Sequence, residues 1–192
     1  MDRTPAETAN LRSDLTREYE KHKADVTIWP VDFGSVFAVS GGLPLPKRAP
    51  QRQAYRMMEL KRWRDHLGVK LNLEPKFFPA NEVPAARCVI ALREQGRMAD
   101  AIELAHAVLA ALWAEDKDTG DPATLRSIIA DCGLDADAVM KASEASDIAG
   151  KREAYTKHAI DRGVFGAPSF VIDGEIFWGQ DRLDFVDRKL AG

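Results

Sequence analysis

Residues 163–183, GVFGAPSFVIDGEIFWGQDRL, set a proline before an apolar run, a turn inside that run and a polar cluster after it. Their chemistry is recognition rather than bond-making. Pro168 cannot donate to a sheet ladder, so it must begin its strand or lie on an edge. Gly179, Gln180, Asp181 and Arg182 then open a helix, where backbone N–H groups favour a carboxylate and Asp181 could accept from an ammonium group. One place could thus recognise both ends of an amino acid. The plainer reading makes Asp181 a helix cap and Arg182 a solvated surface charge.

The other reactive residue types are scattered. Cys88 and Cys132 form no CxxC pair and share no metal-ligand spacing with histidine, which argues against dithiol chemistry, against a metal site and for a reducing compartment. Cys88, in AARCVIAL, reads as a small buried apolar residue, and His106 lies in an apolar helix pattern as a core residue would. Across 192 residues, 27 basic and 30 acidic side chains leave a net charge of −3, so there is no basic footprint for nucleic acid or a membrane surface. A small or apolar partner is expected. With no apolar run of about 18 residues and no signal-peptide core in MDRTPAETAN, the expected location is the cytoplasm.

The elements that must position these residues follow from periodicity. NLRSDLTREYEKH places Leu11, Leu15 and Tyr19 on one helical stripe, and ADVTIWPV alternates Val26 and Ile28 as a strand would. From about Gly34 to Lys157 the spacing is helical: Tyr55, Met58 and Trp63 fall near one face of a helix stopped at Gly68, and Ile102, Leu109 and Trp113 mark a long buried one. Asp121-Pro122 is an N-cap and first-turn pair whose helix closes at Gly133. SFVI and EIFW, joined by Asp173-Gly174, predict a hairpin, and Leu183, Val186 and Leu190 share a face of a terminal helix. Helix, strand, helical block, hairpin, helix is the order of a thioredoxin-like α/β domain carrying an all-helical insertion. The expected division is 1–33 with 158–192 as the thioredoxin-like domain and 34–157 as the insertion.

Over nearly every position, 163–183 resembles the C-terminal signature of the 2-hydroxychromene-2-carboxylate isomerases and kappa-class glutathione transferases, relatives of the bacterial disulfide oxidoreductases. PQRQAYRMMELKRWRDHLG is similar to that family's P-x-K-x-x-Y-x-x-x-D-L-x-R-W segment, with Arg52 in the lysine place and Glu59 in the aspartate place. FFPAN is similar to its F-P-x-N loop, and ADVTIWPVDFG to its second strand. The resemblance implies that glutathione is the cofactor and that Pro168 is a cis proline. It also implies that Ala167 and Pro168 contact the backbone of the glutathione cysteine, while Gly179, Gln180, Asp181 and Arg182 hold the γ-glutamyl end. Arg52 and Asn81 map onto segments lining a hydrophobic substrate side; as plain residues they read as an exposed helix charge and a loop turn. A homodimer is the implied assembly.

The departure is at the start of the chain. The family opens with a strand and D-F-x-S-P-Y, whose serine stabilises the glutathione thiolate. Here no apolar strand precedes the first helix, so the first β-strand is expected to be missing. The chain would then start downstream of its natural beginning, have a rearranged sheet or one completed by another chain, or be a degraded copy. The local echo is DRTPAE, where Thr4 could donate the serine's hydrogen bond or merely cap a helix. The implied reaction is glutathione-dependent isomerisation of an aromatic-degradation intermediate, with an aromatic or hydrophobic small molecule as substrate. Kappa-type transfer or peroxide reduction, and a non-catalytic glutathione- or partner-binding remnant, are the alternatives.

Overall fold

The computed structural model describes residues 19–192, and Thr4, Leu11 and Leu15 lie outside them. After a helical stretch at 19–22 come α1 (Phe33–Ser40), a 3-10 turn (Leu45–Lys47), α2 (Pro50–Leu67), α3 (Val83–Glu94), α4 (Met98–Glu115), α5 (Pro122–Asp131), α6 (Ala136–Ser143) and α7 (Ser146–Asp161). The chain ends in strands β1 (Ser169–Ile172) and β2 (Glu175–Trp178), a 3-10 turn (Gln180–Arg182) and α8 (Leu183–Ala191). It divides into two compact units: one holds the described residues up to Val26 with Phe33–Leu73 and His158–Gly192, the other Thr27–Asp32 and Glu74–Lys157.

The second unit is helical, and its helix ends obey local chemistry. Asp121 accepts from the Thr124 N–H at 2.8 Å with Pro122 beginning α5, and Gly133 donates back to Ala130 at 2.8 Å, as the sequence leads one to expect. Asp135 caps α6 in the same way, accepting from Ala138 at 3.0 Å. The core joins Cys88, Val89 and Leu92 of α3 to Ala101 and Leu104 of α4, Leu125, Ile128 and Ile129 of α5, and Val139 of α6. Cys88 is fully buried, and that burial pushes its thiol pKa up. Trp113 is buried as its spacing predicts, but the rest of the buried stripe of α4 is Ala101, Leu104, Ala111 and Leu112 rather than Ile102 and Leu109.

The strand expected at Val26 and Ile28 does not form; residues 24–32 have no regular secondary structure and join no ladder among the described residues. Side chains satisfy this backbone instead. Ile28 N–H points to Met98 Sδ at 3.5 Å, Ile28 C=O accepts from Arg93 at 3.0 Å, and Asp32 N–H donates to Thr156 Oγ1 at 2.9 Å. Backbone with partners of this kind has no need of a neighbouring strand.

In the first unit the two-stranded antiparallel hairpin pairs Ser169 with Trp178 and Ile172 with Glu175. Asp173 (φ 51°) and Gly174 (φ 85°) both take the left-handed conformation that a tight two-residue hairpin turn demands. Val186 of α8, Leu60 of α2 and Val36 of α1 are buried, with Leu183 and Leu190 partly covered. Tyr55 and Met58, read as part of a helix face, are 40% and 49% exposed; the inward position of α2 is Leu60.

Candidate functional site

The hairpin brings together the two halves of the polar signature. Residues 168 and 179 meet because the strands between them fold back, and the Gly179 N–H donates to the Pro168 carbonyl at 2.9 Å. The Ala167–Pro168 peptide is cis, as the resemblance implies. Ser169 Oγ donates to the Gly166 carbonyl at 2.7 Å, so the carbonyls of both residues flanking Ala167 are tied down. Ala167 is exposed, and among the described residues neither its N–H nor its C=O finds a partner. A peptide-like ligand could take both, in the manner of an added strand.

Gly179 is buried, with φ 116° and ψ 153°, a conformation that carries the chain out of β2 and into the 3-10 turn. Asp181 and Arg182 form an ion pair at 2.9 Å, and Arg182 Nη1 also donates to the Asp181 carbonyl at 3.1 Å. The turn therefore offers a carboxylate and a guanidinium side by side, a pair suited to a ligand carrying both an ammonium and a carboxylate. The residue preceding α8 is Arg182, which makes no side-chain cap bond.

The remaining sequence candidates fall elsewhere along the chain. Arg52 belongs to the same unit, exposed in the first turn of α2. Asn81 belongs to the helical unit, where its Oδ1 accepts from the Val83 N–H at 3.3 Å, the loop-turn role. Thr4 is outside the described residues.

Two aromatic residues beside Ala167 were not singled out by sequence reasoning. Phe165 and Trp178 pack edge-on with ring centroids 4.8 Å apart, and Phe165 remains 42% exposed. Both stand inside the 163–183 window, but only strand pairing shows that they meet. No described helix is long and apolar enough to cross a membrane, and no group of three or more His, Cys, Asp or Glu among the described residues could hold a metal ion.

The family described as "DSBA-like thioredoxin domain" matches residues 8–191. A protein of Sphingobium xenophagum named 2-hydroxychromene-2-carboxylate isomerase is 31% identical over 162 residues, 84% of this chain and 80% of that one. A protein of the same name from Pseudomonas putida is 29% identical over 138 residues, 71% of this chain and 64% of its own length, a little under two thirds. A solved structure of selenomethionine 2-hydroxychromene-2-carboxylate isomerase aligns with a TM-score of 0.75 and 25% identity, covering 98% of this chain and 90% of that one. The two-stranded sheet and the many helices of the described residues thus belong to a DsbA-like thioredoxin fold, the α/β class expected from the order of the elements.

Proposed function

The chain belongs to the DSBA-like thioredoxin domain family and to the family of 2-hydroxychromene-2-carboxylate isomerases, and from that membership we propose that it is a glutathione-dependent isomerase of an aromatic-degradation intermediate of that type. Relatives that carry the isomerase name support an isomerase-type function. The observation that carries the glutathione part is the exposed Ala167 peptide, open on both its N–H and its C=O among the described residues, beside the Asp181–Arg182 pair.

These residues fit the cofactor. An open peptide N–H and C=O suit the cysteinyl backbone of glutathione, and an adjacent carboxylate and guanidinium suit its γ-glutamyl ammonium and carboxylate. When bound, glutathione would supply a thiolate able to add reversibly to a conjugated double bond. Ala167 would hold the tripeptide by main-chain hydrogen bonds, Pro168 and Gly179 would fix that peptide's direction, and Gln180, Asp181 and Arg182 would hold the γ-glutamyl end. Thr4 is the candidate donor to the thiol, and Arg52 and Asn81 the candidates on the substrate side. A small aromatic acid as substrate, a homodimer and a cytoplasmic setting complete the reading.

The test is the interconversion of 2-hydroxychromene-2-carboxylate with its ring-opened isomer, followed by absorbance with and without glutathione. The expected result is a rate that saturates with glutathione. A rate indifferent to glutathione would remove the cofactor. Conjugation of chlorodinitrobenzene without isomerisation would move the chain to the transferase class, and binding without either rate would make it a non-catalytic binder. Thr4→Ala with an unchanged glutathione-dependent rate would remove Thr4 from the thiol-activating role.

A further inference from the structure

We infer that Trp178 is a positioning residue for the Ala167 peptide, and that Gly166 is glycine because the indole occupies the place of a side chain there. The inference rests on the reading that Ala167 holds the glutathione backbone. A Cβ built on Gly166 would lie 2.4 Å from Trp178 Nε1, 2.9 Å from Cε2 and 3.2 Å from Cδ1, so the pyrrole edge of the indole is pressed against the Gly166 backbone. Gly166 is buried while Ala167, next in the chain, is exposed.

The indole cannot easily yield. Its backbone is in the β2 ladder opposite Ser169, the next residue is tied to Pro168 at 2.9 Å, and its ring meets Phe165 at 4.8 Å with an interplanar angle of 63°. Trp178 therefore touches the loop on the N-terminal side of Ala167, while Ser169 Oγ and Gly179 N–H hold the flanking carbonyls of Gly166 and Pro168. The Ala167 peptide is fixed at both ends yet left open to a ligand. A ligand meeting a fixed peptide does not have to order a loop, and that saving appears directly in affinity.

Calorimetry of glutathione binding to the full chain tests this with Trp178→Phe, Trp178→Leu, Gly166→Ala and the double variant Gly166→Ala/Trp178→Leu. Trp178→Phe keeps a ring against Phe165 but withdraws the pyrrole edge from Gly166. The expected rise in Kd is several-fold for Trp178→Phe and about ten-fold or more for Trp178→Leu and Gly166→Ala, the order of loss expected when preorganisation is removed. In the isomerase assay KM for glutathione rises while kcat at saturating glutathione changes little. The double variant, with space restored for the methyl group, binds no worse than Trp178→Leu alone, a non-additivity that marks direct coupling. Wild-type affinity in Trp178→Phe and Gly166→Ala, or strict additivity in the double variant, overturns the inference. A wild-type chain that does not bind glutathione overturns it together with the functional reading, so the two failures are distinct. Should the larger substitutions fail to fold, Trp178→Phe decides by itself.

Discussion

The amide N–H of Gly179 donates to the carbonyl of Pro168 at 2.9 Å, closing the hairpin one position beyond its last paired residues. That bond joins the two halves of the proposed glutathione site. It depends on Gly179 holding φ 116° and ψ 153°, a region that residues with a Cβ scarcely enter.

Gly179→Ala is accordingly expected to lower stability by about 1–3 kcal/mol, the usual cost of a side chain in such a conformation. Urea denaturation measures this directly, and the glutathione Kd of the same variant should rise with it. A midpoint equal to wild type would mean the turn relaxes without cost.

Asp181→Ala should weaken glutathione binding with little loss of stability. Its ion pair with Arg182 is partly exposed, and such pairs contribute about 0–1 kcal/mol. A loss of affinity in calorimetry would then report on the ligand rather than on folding. An unchanged dissociation constant would sink the γ-glutamyl assignment.

In the helical unit, Trp29 and Tyr155 meet edge-on with ring centroids 4.9 Å apart, and Arg93 lies against both, 3.8 Å from the Trp29 centroid and 4.0 Å from that of Tyr155, while it donates to Ile28 C=O at 3.0 Å. A guanidinium in cation–π contact with two rings and bonded to a carbonyl makes Arg93→Ala destabilising by about 2–4 kcal/mol. Arg93→Lys should recover only part of that, because an ammonium cannot stack as a plane. Equal unfolding midpoints for Arg93→Lys and wild type would show that charge alone is needed.

Tyr155 donates its hydroxyl to Glu94, which is also paired with Lys151. Burial first, and the Glu94 hydrogen bond second, push the phenol up to about 12. Because the folded pKa is raised, the stabilisation is complete below the unfolded value of about 10 and is lost as pH rises through the folded one. Unfolding midpoints should fall between those values, and Tyr155→Phe should remove that part of the alkaline decline. For Glu94 the sign reverses: Lys151 first and Tyr155 second lower its pKa, so its contribution is present above the ordinary carboxylate range and fades as pH falls through the depressed value. Glu94→Gln should flatten the acid side of the same curve.

Features legible in the sequence are those governed by neighbours along the chain. Asp121-Pro122 names its helix start because an aspartate reaches the N–H three residues on, and Asp173-Gly174 names its hairpin because both residues tolerate positive φ. The turn from Gly179 to Arg182 is readable for the same reason, since Gly179 takes a positive φ where β2 ends. The segment around Ile28 was not readable: its apolar alternation is that of a strand, yet the groups that satisfy its backbone are Arg93, Met98 and Thr156, distant in sequence. For Tyr55 and Met58 the helical stripe shows that they share a face but not whether that face is covered, and both are largely exposed.

The sequence by itself therefore determined the helix caps, the hairpin turn and the residue types of the candidate site, all set by φ, ψ and side-chain reach within a few residues. Only the tertiary structure decided that Phe33–Leu73 groups with the hairpin, that Thr27–Asp32 is held by helix side chains rather than by a strand, and that Trp178 fills the side-chain place of Gly166. Those outcomes depend on which distant groups satisfy a buried amide or occupy a given space. Such choices belong to packing, and no local pattern encodes them.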